Sequence, residues 1–93
     1  FIGAESFNQD ISSWIVSNVT NMYEMFYSTN FNQSIGSWDV SNVTNMHGMF
    51  IDALFFNQDL SSWNVKNVKE CYAFNAETPY WTSPKPNFIN CKK

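Results

Sequence analysis

Ninety-three residues bound the chain to one small domain, and 44% hydrophobic with 18% aromatic residues give it ample material to bury. Charged residues make up only 14%, below the roughly 25% usual in soluble domains. The net charge is −3, and residues 1–65 hold no Lys or Arg, so the basic stripe of a nucleic-acid binder and the polybasic segment of a membrane binder are both excluded. No apolar run approaches the ~20 residues of a bilayer span.

The first element, residues 1–6, matches Phe50-Ile51-Asp52-Ala53-Leu54-Phe55 in spacing and shares its Phe, Ile and Ala. It reads as a partial repeat, so the chain is expected to be part of a longer array with an uncapped N-terminal end. An exposed strand edge and apolar cross-section there predict self-association. The opening at Phe1, without Met, leaves room for an export signal removed upstream.

Residues 7–30 form the first complete repeat. Phe7-Asn8-Gln9-Asp10-Ile11 returns as Phe31-Asn32-Gln33-Ser34-Ile35 and as Phe56-Asn57-Gln58-Asp59-Leu60, spacings of 24 and then 25 residues. Each is followed seven residues on by Trp14, Trp38 or Trp63. Ile11, Trp14 and Val16 among serines predict a short, bent strand. From an N-cap at Ser17 or Thr20, Val19, Met22, Met25 and Phe26 fall on one face of a short helix. The second repeat, 31–55, copies this with Val40-Ser41-Asn42-Val43-Thr44-Asn45-Met46. The two differ by one residue: Phe26 and Phe31 are five apart, Phe50 and Phe56 six, a slip expected in a surface turn. The third repeat, 56–76, decays after Val68, where Lys69, Glu70 and Cys71 replace Thr, Asn and Met. Residues 77–93 match no repeat, hold all three prolines, and place Tyr80, Trp81 and Phe88 where they can cover the last repeat as a C-terminal cap.

The expected fold is therefore α/β: a leucine-rich-repeat-like solenoid of strand-plus-short-helix repeats, ~24–25 residues each, with a C-terminal cap. Columns of Phe7/Phe31/Phe56, Ile11/Ile35/Leu60 and Trp14/Trp38/Trp63 would fill its core, and equivalent strands would align into a parallel sheet. Repeated Asn side chains would ladder onto turn backbone.

The string Met49-Phe50, Ala53, Phe56-Asn57-Gln58-Asp59, with Trp38-Asp39-Val40-Ser41-Asn42-Val43-Thr44-Asn45-Met46, resembles the BspA-like leucine-rich-repeat surface proteins of bacteria, and residues 1–76 carry the resemblance. The ending Trp81, Pro84-Lys85-Pro86-Asn87-Phe88 and Cys91 is similar to the segment that closes such arrays. The resemblance implies an extracellular, cell-surface location and a part in adhesion or protein contact.

Cys71 and Cys91 are the only cysteines. Cys71 stands at the inward position of Met22 and Met46, and Cys91 ends the covering segment, so a disulfide is expected; two free buried thiols are the alternative. Two Cys and one distant His47 are too few for zinc. His47 aligns with Tyr23 and Tyr72 and has no nucleophile or orienting partner at a fixed spacing, so it reads as an ordinary helix residue. Asp10, Asp39, Asp52 and Asp59 are scattered, as solvated turn residues are, and lack the nonapeptide of calcium solenoids. The Trp column reads as core rather than a sugar-stacking platform, and Asn18-Val19-Thr20 and Asn42-Val43-Thr44 as ladder residues rather than glycosylation sites. Thr20 and Thr44 are too few for ice binding.

The sequence thus points to no cofactor, no metal and no enzyme. It points to a repeat module with a protein or glycan partner, the polar residues Asp10, Ser12, Ser34, Gly36, Asp59 and Ser61 offering the binding face. A spacer without its own ligand is the alternative.

Overall fold

Alternate backbone donors of the segment expected to be helical point out of it, into the next repeat. In the computed structural model, which describes residues 2–91, the N–H groups of Met22, Glu24, Phe26 and Ser28 donate to the carbonyls of Asn45, His47, Met49 and Ile51 at 2.8, 2.9, 2.8 and 2.8 Å. One repeat on, Met46, Gly48, Phe50 and Asp52 donate to Glu70, Tyr72, Phe74 and Ala76 at 2.7, 3.0, 2.8 and 2.9 Å. Phe1, Lys92 and Lys93, which bound the partial repeat and the cap, lie outside the described residues.

A donor spent on a neighbouring repeat cannot close a bond four residues back along its own chain. The same segments also carry left-handed residues, Glu24 (φ 50°) and Ser28 (φ 56°), then Gly48 (φ 60°) and Asp52 (φ 58°), then Ala73 (φ 54°) and Glu77 (φ 60°). A helix of L-residues cannot include them. The expected short helices do not form, and no helix is present among the described residues.

The expected strands fail for a related reason. The N–H of Trp14 folds back onto the Ile11 carbonyl (3.0 Å), Trp38 onto Ile35 and Trp63 onto Leu60 (both 3.1 Å), so each bent strand is a tight turn. Among the described residues, parallel pairing is confined to isolated bridges, Asn21 with Asn45 and Asn45 with Glu70. The α/β leucine-rich-repeat-like solenoid is therefore not the fold. The chain is a body of 31 × 27 × 22 Å built from hydrogen-bonded turns, with a core of Phe26, Phe31, Phe50, Phe56, Ile35, Leu60, Met46 and Met49.

The aromatic rings run through that core in contact, Phe26–Phe31 at 4.4 Å and Phe50–Phe56 at 4.3 Å between centroids. Trp38 and Trp63 are buried, and their indole N–H groups donate to the Ile11 and Ile35 carbonyls at 3.1 and 3.0 Å. Trp14, at the equivalent place in the first repeat, is 47% exposed, and its neighbour Ile15 and the earlier Ile2 are exposed too.

Asparagines join the repeats. The Asn8 and Asn32 side-chain oxygens accept from the backbone N–H of Asn32 (2.8 Å) and Asn57 (2.9 Å). The Asn42 and Asn67 amides donate to the Ser17 and Ser41 carbonyls, both at 2.7 Å. Among the described residues, no buried side-chain polar atom lacks a partner.

The one-residue slip falls at exposed positions, Asn30 against Leu54 and Phe55, and the buried residue just before it differs between the repeats. In the six-residue spacing, Ala53 N–H donates to the Phe50 carbonyl (3.0 Å) and the Ala53 carbonyl accepts from Phe56 N–H (3.2 Å). In the five-residue spacing, the Thr29 hydroxyl does both: it donates to the Phe26 carbonyl at 2.9 Å and accepts from Phe31 N–H at 3.4 Å. Among the described residues, Thr29 is the one buried polar residue of the core. Its side chain stands in for a missing peptide group.

Candidate binding surface

Each repeat turns its corners with a side-chain oxygen that caps the N–H two residues on. Asp10 accepts from Ser12, Asp39 from Ser41, Asp59 from Ser61, and Asn64 from Lys66, at 3.0, 3.0, 2.9 and 3.2 Å. Hydroxyl and backbone hydrogen bonds from Ser12, Ser41 and Ser61 hold the carboxyls of Asp10, Asp39 and Asp59 below their ordinary range, against a small opposing effect of burial. Their charge faces solvent, but much of their bonding is directed at their own turns.

Of the residues expected to form a binding face, Asp10, Ser34, Asp59 and Ser61 are exposed and Ser12 is half-buried. Gly36 holds the middle position, without a side chain. A Cβ there would lie 2.8 Å from the Asp59 carbonyl oxygen, so the next repeat's backbone passes too close for any larger residue. The middle repeat therefore breaks the row: it lacks the Asp–Ser turn that the first and third share. Asp39-Val40-Ser41, outside the expected face, has the same Asp-x-Ser spacing one corner further on.

A continuous row lies at a third corner. Asn21 accepts from the N–H of Tyr23 (2.8 Å) and Asn45 from that of His47 (2.9 Å), and the bridges Asn21–Asn45–Glu70 hold the three corners in register. The side chains that follow stack: Tyr23 on His47 at 5.1 Å and 15°, His47 on Tyr72 at 5.6 Å and 29°. Tyr23 and Tyr72 remain 48% and 62% exposed. The negative charge of Glu24, then desolvation, then a hydrogen bond with Glu24 raise the Tyr23 phenol above its ordinary value, so it is a hydrogen-bond donor at neutral pH. Because the rings face one another, the row offers edges and polar atoms outward, with open ring faces only at its two ends. It suits hydrogen bonding and edge contacts along its length better than a sugar laid flat. The signal was legible as the alignment of Tyr23, His47 and Tyr72; their stacking was not.

Cys71 and Cys91 are joined in a disulfide, Cα atoms 5.9 Å apart. No group of three or more His, Cys, Asp and Glu side chains among the described residues is placed to hold a metal ion. No helix among them is long and apolar enough to cross a membrane.

Residues 1–86 match the family model described as Mycoplasma protein of unknown function, DUF285. The chain belongs to the DUF285 family. No curated protein and no solved structure matches it. In this DUF285 chain the match takes in the whole Tyr23–His47–Tyr72 row and the three complete repeats, and stops short of Phe88, Asn90 and Cys91.

Proposed function

We propose that the chain is a non-enzymatic binding module of the cell surface, which engages a protein or glycan through the row Tyr23–His47–Tyr72 and its flanking polar corners. The stacked, solvent-facing row is the observation that carries the reading. Exposed tyrosines supply contact area and a hydrogen-bonding tip at low entropic cost, the properties that enrich them at interfaces. The row is fixed by backbone bonds beneath it, so little ordering is lost on binding. The disulfide is in keeping with an extracytoplasmic site.

A spacer is the second reading, and one observation favours it: one oxygen each of Asp10, Asp39 and Asp59 is engaged by its own turn rather than held ready for a partner. The test is a screen of the oxidised chain against arrayed glycans and extracellular-matrix proteins. A specific partner whose binding falls at least about tenfold in a Tyr23→Ala/Tyr72→Ala variant, with the melting curve retained, supports the module. A partner insensitive to that variant but lost on changing Asp10, Ser12, Asp59 and Ser61 together moves the site to the other row. Silence throughout leaves the spacer.

A further inference from the structure

We infer that the cleft between the last repeat and the closing segment is a site for small aromatic carboxylates, separate from the Tyr23–His47–Tyr72 row. The cleft has a volume of ≈ 170 Å³. That is close to the roughly 150 Å³ of an apolar cavity that takes up benzene, so it admits one ring-sized group. Its wall is apolar on both sides. The Phe74 ring, from the last repeat, meets the Phe88 ring of the closing segment edge to face at 4.9 Å and 71°, and Pro86 and the disulfide-bonded Cys71 continue the lining.

Two polar side chains stand in that wall, Lys85 and Asn75. The Lys85 ammonium donates to the Trp81 carbonyl at 3.0 Å and lies 5.1 Å from the centroid of the Trp81 ring. An ammonium has three donors, so two are left after that bond. No carboxylate pairs with Lys85 among the described residues. Lys85 thus lines the cleft with its ammonium fixed on Trp81 and without a carboxylate partner among the described residues, and the Asn75 side chain in the same wall offers a further polar contact. All five lysines fall after residue 65, so the charge at this end of the chain favours an anion although the net charge is −3. Ring-sized apolar space beside one fixed cation selects an aromatic group carrying one carboxylate. A neutral ring would gain nothing from the Lys85 charge, and a bare anion would leave the cleft unfilled.

The probe is 3-phenylpropionate, titrated into the oxidised chain while backbone amide shifts are followed by NMR. The expected result is saturable shifts centred on residues 71–75 and 85–88, with a dissociation constant on the order of millimolar, as suits so small a ligand. The uncharged 3-phenylpropanamide and the variant Lys85→Gln should each bind roughly tenfold more weakly, and Lys85→Arg should retain binding. Lys85 is exposed, so the glutamine variant is expected to keep the parent fold, which its own amide spectrum reports. Shifts that never saturate, that fall elsewhere on the surface, or that are equal for acid and amide would overturn the assignment.

Discussion

Replacing Thr29 by Val removes one hydroxyl and almost no volume, and it tests the reading of the slip between the first two repeats. The hydroxyl is buried, donates to the Phe26 carbonyl at 2.9 Å and accepts from Phe31 N–H at 3.4 Å. Loss of a partner for a buried backbone group costs about 1–3 kcal/mol, with the short bond to Phe26 bearing most of it and the long one to Phe31 little. A total of about 2–3 kcal/mol is expected. At about 4–8 °C per kcal/mol for a domain of this size, the melting temperature falls by roughly 8–24 °C. Thr29→Ser keeps the hydroxyl and loses one methyl, worth about 1 kcal/mol. The decisive arm is a rescue: Ser28-Thr29-Asn30 replaced by Asp-Ala-Leu-Phe, the sequence found at 52–55, restores a backbone peptide at that place and should recover most of the loss. Circular dichroism melts of the four proteins give the answer. A Val variant as stable as the parent, or a graft no better than the Val variant, would show that Thr29 does not replace a peptide group.

Other residues make equally definite claims. Reducing the disulfide, or changing Cys71 and Cys91 together to Ala, opens a loop of sequence separation 20 and should cost about 3 kcal/mol, read as a lower urea midpoint. Trp38→Phe keeps the ring in the core but withdraws the indole donor from the Ile11 carbonyl, for a loss of about 1–3 kcal/mol; Trp14→Phe, at a half-exposed place, should cost less in the same melt. Gly36→Ala puts a methyl 2.8 Å from the Asp59 carbonyl oxygen and should cost about 1–3 kcal/mol, whereas Gly3→Ala meets no atom and pays only for its left-handed backbone. The lowered carboxyls of Asp10, Asp39 and Asp59 contribute stability that is present above their unfolded value, near 3.8, and lost as pH falls through the lower folded values. Urea midpoints should be level from neutral pH to about 5 and decline below 4, and the decline should shrink in the triple Asn variant.

The sequence displayed the repeat because side chains carry it. Phe, Ile and Trp recur at 24 and 25 residues, and Cys71 stands at the core position from which Cys91 can be reached. Backbone conformation was less legible. Val19, Met22, Met25 and Phe26 have helical spacing, but the left-handed residue among them is Glu24, and Glu carries no sign of φ 50°. Only Gly48, the equivalent of Glu24 in the second repeat, hinted at it, and Gly3, the equivalent of Ser28, did the same for the second left-handed column. The Asp-x-Ser and Asn-x-Tyr corners were written in the sequence as Asx turns, yet apolar periodicity outweighed them. For the candidate site, the alignment of Tyr23, His47 and Tyr72 was visible, but stacking and exposure depend on corners that periodicity does not describe.

The closing segment shows how this fold ends without a repeat sequence. Trp81 stands 25 residues after Phe56, just as Phe56 stands 25 after Phe31, and it packs edge-on against Phe56 at 4.8 Å. The N–H groups of Thr82 and Ser83 donate to the Asn57 side chain, both at 2.8 Å, as Asn57 N–H does to Asn32. The Asn90 amide donates to the Lys66 carbonyl at 2.8 Å, continuing Asn42 on Ser17 and Asn67 on Ser41. The segment thus answers, point by point, the acceptors that the third repeat presents, with different residues and a spacing two shorter, Asn67 to Asn90 being 23. Pro84 gives its carbonyl to Leu60 N–H at 2.9 Å, and proline has no N–H of its own to present onward. The segment thus meets the third repeat's acceptors with its own donors and its Leu60 N–H with the Pro84 carbonyl, and the disulfide ties Cys91 to the core at Cys71.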